Sequence, residues 1–337
     1  MFRRSLFAVA LIALTAGCNG GAASPPPFYT GLFVPTPTPT PSPAPTATPV
    51  AAHLYVGNDN AAGGVLQFNL PLTATSTPNF SIASANVVSV ALDATGNLAV
   101  GDNAGNLQFF TAPLSGASTP AAAFKNGTAT NTGQIAFTAA GDFWASTVLD
   151  RVNAFTHPFS NASTPSASVF GASVGNGAPI GTAFDAAQNL YVAVAGFDTI
   201  ILVCPSGHGT CSNIKVYAPP YTGSSTDTLP FANTAYRKIA VSSTQLFACS
   251  VSNPPGKVDV FNLPITGGAS LPAFAITTGV NTPEAVALDA AGNLYVGNLA
   301  DATVSVYAPP FSAASAPVLT LKVSTGAFAI FGIAIGK

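Results

Sequence analysis

Apolar and polar residues alternate in short runs along most of this chain, and one run recurs six times. It reads Leu54-Tyr-Val-Gly-Asn, Leu98-Ala-Val-Gly-Asp, Phe143-Trp-Ala-Ser-Thr, Leu190-Tyr-Val-Ala-Val, Leu246-Phe-Ala-Cys-Ser and Leu294-Tyr-Val-Gly-Asn. Short runs rich in Val, Tyr and Phe and bounded by Gly, Asn and Asp predict β-strands. Their starts at residues 54, 98, 143, 190, 246 and 294 lie 44 to 56 residues apart. That period marks a repeat array in which a single unit cannot bury its own apolar face.

Five of the six runs are preceded by a second strand: Val90-Ala-Leu-Asp, Ile135-Ala-Phe-Thr, Thr182-Ala-Phe-Asp, Ile239-Ala-Val-Ser and Val286-Ala-Leu-Asp. A turn such as Asp93-Ala-Thr-Gly-Asn97 joins the two, and its aspartate reads as a turn residue bonding local backbone. The shared alanine in these strands suits the crowded inner edge of a wedge-shaped blade. After each run comes a third strand with an aromatic residue three positions before a proline: Phe68, Phe110, Phe155, Tyr217, Phe261 and Tyr307. Proline has no N–H and ends the ladder there. These aromatics are expected in the core between blades. A Ser-x-Pro turn and a short fourth strand complete the unit.

The first unit lacks its inner strand, and the missing piece stands at the other end as Ile333-Ala334-Ile335-Gly336. Pairing the C-terminal strand beside Leu54–Asn58 closes the ring and removes its exposed edges. The expected fold is all-β, a six-bladed β-propeller.

Pro283-Glu-Ala-Val-Ala-Leu-Asp-Ala-Ala-Gly-Asn-Leu-Tyr-Val, followed by Val304-Ser-Val-Tyr, resembles the NHL repeat of six-bladed propellers. The resemblance spans roughly residues 53 to 337 and implies fold rather than function, because such rings serve as binders, lyases, lactonases and scaffolds. The charged residues that commonly follow the Tyr-Val strand in NHL repeats are here mostly Gly, Asn or Ala.

The first 50 residues are of another kind. Arg3 and Arg4 precede an apolar run from Leu6 to Leu14, then Thr15-Ala16-Gly17-Cys18. A basic end, a short apolar core and small residues describe an export signal. The trio before cysteine resembles the bacterial lipobox, which implies acylation of Cys18. Residues 1–17 are therefore expected to be a lipoprotein signal peptide. Residues 18–50 read as a lipid-anchored Pro/Thr/Ser-rich linker, too poor in apolar residues to fold, and residues 51–337 as the propeller. An ordinary secretory signal with an incidental cysteine is the plainer alternative. Without Arg3 and Arg4, 8 basic residues face 12 acidic ones (10 − 2 = 8). The mature chain is thus mildly acidic and ill suited to nucleic acid.

Charged residues are only 7% of the chain, which limits the candidate chemistry. Cys204 and Cys211 bracket a Gly-rich turn, and in an exported protein that spacing favours a disulfide. Zinc held with His208 is the alternative, but a fourth ligand is lacking nearby. Cys249 reads as a buried free thiol. The loops entering the inner strands, where propeller enzymes place their chemistry, supply one carboxylate, Glu284, and one basic pair, Arg237-Lys238. These three are the candidate ligand-face residues. They are a poor match to a divalent-ion site of the lactonase kind, and His53, His157 and His208 lie in other segments of the repeat. No catalytic residue, metal or cofactor is expected. The reading is a monomeric, lipid-anchored module at the bacterial cell envelope that binds a protein or glycan, on the outer membrane or cell surface if the host has two membranes. An extracytoplasmic lyase or lactonase using Glu284 and Arg237 is the alternative.

Overall fold

The computed structural model describes residues 52–61, 63–169, 177–196, 212–221, 227–231, 236–251, 255–265, 271–323 and 329–337. Blade 1 contains β1 (His53–Asn58), β2 (Gly64–Asn69) and β3 (Phe80–Ala83). Blade 2 runs through β4 (Val87–Leu92), β5 (Leu98–Asp102), β6 (Asn106–Phe110) and β7 (Ala122–Lys125). Blade 3 has β8 (Ile135–Phe137), β9 (Phe143–Ser146), β10 (Val152–Phe155) and β11 (Ala167–Val169). Blade 4 has β12 (Gly177–Phe184), β13 (Leu190–Gly196), β14 (Ser212–Tyr217) and β15 (Asp227–Phe231). Blade 5 is formed by β16 (Tyr236–Val241), β17 (Gln245–Ser250), β18 (Lys257–Asn262) and β19 (Phe274–Ile276). Blade 6 is β20 (Pro283–Leu288), β21 (Leu294–Asn298), β22 (Thr303–Tyr307) and β23 (Leu319–Lys322), and β24 (Ile330–Gly336) follows it.

Six four-stranded antiparallel sheets result, five of them sequential and the sixth ordered β24-β1-β2-β3. The closing pair is the one the sequence predicts: Leu54 faces Ile335, Tyr55 faces Ala334 and Val56 faces Ile333. The inner strands touch in a complete circuit, β24 to β4, β4 to β8, β8 to β12, β12 to β16, β16 to β20 and β20 to β24. The molecule is a six-bladed propeller.

The third-strand aromatics lie in the packing between blades, as expected. Phe68, Phe110, Phe155 and Tyr307 are fully buried, and Tyr217 and Phe261 nearly so. In the blade 2 to blade 3 seam Phe143 packs among Phe124, Phe137, Phe155 and Phe159. The proline three residues after each aromatic follows a cis peptide bond in all six blades. The turn aspartates behave as turn residues. Asp93, Asp185 and Asp289 each accept the backbone N–H and the side-chain amide of the asparagine four residues on. The Ser-x-Pro segments repeat one local bond in four blades: Ser76, Ser118, Ser163 and Ser315 each accept at Oγ from the N–H three residues earlier.

Candidate functional site

The inner strands begin on one face of the ring, here called the mouth. Five of them carry a β-bulge close to that end: at Val88, at Ile180, at Arg237 with Lys238, at Glu284 and at Phe331. A bulge re-aims side chains that a regular pleat would alternate. Aligned on the shared alanine, the residues three places earlier are Val88, Gly133, Ile180, Arg237, Glu284 and Phe331. The next row inward is Ser89, Gln134, Gly181, Lys238, Ala285 and Gly332.

That second row closes the axis. Lys238 of blade 5 is buried and reaches across the ring, donating from Nζ to Val88 O of blade 2 at 2.7 Å and Gly133 O of blade 3 at 3.0 Å. Gln134 of blade 3 spans in another direction. Its Oε1 accepts from Thr182 N at 3.1 Å and Ile239 N at 2.9 Å, and its Nε2 donates to Ile239 O at 2.8 Å. Backbone groups that bulges and strand starts leave outside the ladders are thereby satisfied, as buried polar groups must be. Two long side chains fit because the other four positions are small. At Gly332 a Cβ would lie 2.9 Å from Val90 N, and at Gly181 it would strike Arg237 O. What remains is a cavity of about 10 Å³ lined by Ser89, Gln134, Lys238 and Phe331 among others. That is room for about one water.

On the mouth side of this plug stand Arg237 and Glu284, with Nε 3.6 Å from Oε1. The separation is an ion pair rather than a hydrogen bond, and Arg237 Nε is buried without a hydrogen-bond partner among the described residues. Burial raises the Glu284 carboxyl, opposed by the charges of Arg237 and Lys238. Burial pushes the Lys238 ammonium down to about 8, and the nearby Glu284 partly offsets this. Cys249 is fully buried close by, a free thiol as expected, and burial holds it protonated well above its ordinary range. Tyr236 donates to Asp259 Oδ2 at 2.8 Å, and Lys257 pairs with the other oxygen at 2.8 Å. Beyond that ion pair, Asp259 Oδ1 has no hydrogen-bond partner among the described residues.

Of the three candidate ligand-face residues, the fold brings Arg237 and Glu284 together and turns Lys238 into the axis. Both residues lie within the bulge of β16. Gln134 is the plug residue that the reading by residue type passes over. Its signal is a long polar side chain in a row otherwise small except for Lys238. Cys18, Cys204, Cys211 and His208 lie outside the described residues. Among the described residues no three His, Cys, Asp or Glu side chains cluster in a way that could hold a metal ion.

No family model matches the chain, and no curated protein matches it. Solved structures do. A protein from Bacteroides fragilis NCTC 9343, named as a candidate 6-phosphogluconolactonase, superposes with a TM-score of 0.60 at 11% identity, covering 87% of this chain and 100% of that one. A protein from Lactobacillus plantarum gives 0.56 at 15% identity over 86% of this chain and 100% of its own. The β-propeller domain of Cps50 (Swd1) from Myceliophteria thermophila gives 0.53 at 9% identity over 80% and 83%. At such identities these likenesses concern the fold alone.

Proposed function

We propose that this chain is an exported, lipid-anchored, NHL-like propeller that binds a protein or glycan of the bacterial cell envelope through its mouth face and carries out no catalysis there. The observation that supports this reading is the plug. Lys238 and Gln134 fill the axis with bonds to inner-strand backbone, so among the described residues the axis offers a small substrate no well. Arg237, with its guanidinium held only by a loose ion pair, offers a partner a directional donor set. In this reading acylated Cys18 anchors the chain, residues 18–50 act as a stalk, and Cys204 and Cys211 form a disulfide.

The rival reading, an extracytoplasmic lyase or lactonase, draws on the name carried by the Bacteroides structure and on Glu284, a carboxyl raised by burial. One set of measurements separates the two. Purified full-length protein is titrated against host envelope fractions and assayed on gluconolactone, alongside Arg237→Ala and Glu284→Gln. The binding reading expects Arg237→Ala to weaken envelope binding about tenfold, the loss of one charged hydrogen-bonding group. It expects no lactone turnover in any variant. Turnover that Glu284→Gln abolishes makes the protein an enzyme, and a Cys18→Ser variant that still incorporates labelled palmitate removes the anchor.

A further inference from the structure

The face opposite the mouth holds two clefts in equivalent positions, one blade apart, and they differ in chemistry. The cleft between blades 6 and 1, about 610 Å³, is lined by Leu70, Pro71, Leu72, Val306, Val318 and Leu319, with Tyr295 and the Asp289 turn. Its counterpart between blades 1 and 2, about 430 Å³, keeps the matching apolar wall in Ala112, Pro113 and Leu114, but its other side carries His53, Tyr55, Gln67, Asn79 and Phe80. The register makes the comparison residue by residue. Tyr55 faces Gln67 across the β1–β2 ladder. The matching pairs elsewhere are Ala99 with Phe109, Trp144 with Ala154, Tyr191 with Val216, Phe247 with Val260, and Tyr295 with Val306. Only blade 1 places a polar side chain at that third-strand position, and Gln67 is 2% exposed. Asn79, whose N–H bonds Gln67 O as Val318 bonds Val306 O, donates from Nδ2 to Gln67 Oε1 at 2.7 Å.

Ring closure explains where the unpaired polar groups of this cleft come from. In blades 4 and 6 the tyrosine matching Tyr55 donates its hydroxyl to the turn aspartate, Tyr191 to Asp185 and Tyr295 to Asp289, each at 3.3 Å. Blade 1 takes its inner strand from the far end of the sequence, so no such turn exists. Tyr55 has no hydrogen-bond partner for its hydroxyl, and His53 Nδ1 is buried and likewise unpartnered, among the described residues. His53 occupies the position where blades 2, 4 and 6 carry Asn97, Asn189 and Asn293, each bonded to its turn aspartate. Gln67 Nε2 makes only a long 3.4 Å contact to Asn69 Oδ1 and keeps a second hydrogen to give.

We propose that the cleft between blades 1 and 2 binds one pyranose unit of a glycan. A neutral polyhydroxylated ring needs amide and hydroxyl groups in a row, with aromatic surface beside them. Gln67, Asn79, Tyr55 and His53 supply the first, and Phe80 and Tyr55 the second. The cleft's volume falls within the roughly 300–1,000 Å³ of small-molecule sites. An apolar ligand would leave those polar groups unpaired, and it would fit the neighbouring cleft better. This site is independent of the mouth face.

The test is saturation-transfer NMR and calorimetry of purified full-length protein with N-acetylglucosamine, chitobiose, glucose and cellobiose. At least one of these sugars binds. Gln67→Val installs the residue that blades 4, 5 and 6 carry, so the fold tolerates it, and it lowers affinity about tenfold or more. Tyr55→Phe keeps the ring and does the same, whereas Tyr295→Phe in the apolar cleft leaves sugar binding unchanged. Silence of all four sugars overturns the proposal, as does wild-type affinity in both Gln67→Val and Tyr55→Phe. Loss of envelope binding in Arg237→Ala alone would speak only to the mouth.

Discussion

Replacing Lys238 with methionine tests the axial plug most directly. Methionine nearly matches the length of the lysine stem and keeps the axis filled, but removes the charge and both donors. At neutral pH two effects of similar size oppose each other. Leaving the buried carbonyls of Val88 and Gly133 without a donor costs about 1–3 kcal/mol each. Removing a buried ammonium returns free energy. Its fall from an ordinary 10.5 to about 8 corresponds to about 3 kcal/mol at ~1.36 kcal/mol per tenfold change in proton affinity. Net stability at one pH therefore decides little.

The pH dependence decides it. Between about pH 8 and 10.5 the unfolded chain holds the Lys238 proton and the folded chain does not. Unfolding free energy then rises with pH, because the unfolded state binds more protons. The burial cost is present in full below pH 8 and gone above 10.5. The neutral amine still has two N–H donors for its two carbonyls, so the plug survives deprotonation. Urea unfolding at pH 7, 8, 9 and 10 of wild type and Lys238→Met should show the wild type gaining on the variant by an amount approaching ~3 kcal/mol across the window. Other lysines and tyrosines titrate in both proteins and cancel in the difference. A difference that stays flat, or falls with pH, refutes the burial of a charged Lys238 in the axis.

Two further outcomes follow from the ring. Gln134→Ala strips partners from Thr182 N, Ile239 N and Ile239 O at once, so stability should fall by about 3–5 kcal/mol, seen as a melting temperature lower by roughly 10 °C. Ala334→Pro sits in the β24–β1 ladder opposite Tyr55 and breaks the seam that closes the circle. It should cost about 3 kcal/mol or more and promote self-association through the freed edge of β1, read by thermal melting and size-exclusion chromatography.

Much of the architecture was legible because repetition supplies its own control. Six copies of one strand run, an alanine in fixed register and an orphan Ile333-Ala334-Ile335 at the end leave closure into six blades as the arrangement without open edges. The turn aspartates and inter-blade aromatics follow from local chemistry and period alone. The candidate site was legible only as residue types near the inner-strand starts. Arg237 and Lys238 are neighbours in the chain, and nothing in their order says that one stays at the mouth while the other crosses the ring. Gln67 did carry a signal, a lone amide at a position apolar in the other five repeats, but strand register is needed to align it with Val306.

Sequence by itself determined what each unit is: its strands, its turns and the need for a partner on both faces, since these depend on side-chain polarity and spacing within about 50 residues. Tertiary structure alone decided what happens where units meet. The bulge that holds Lys238, the strand start that places Gln134 beside the axis, and the missing turn that leaves the Tyr55 hydroxyl and His53 Nδ1 without partners among the described residues depend on contacts between residues far apart in the chain. A linear pattern encodes the faces of a blade. Only the closed ring shows which groups are left over.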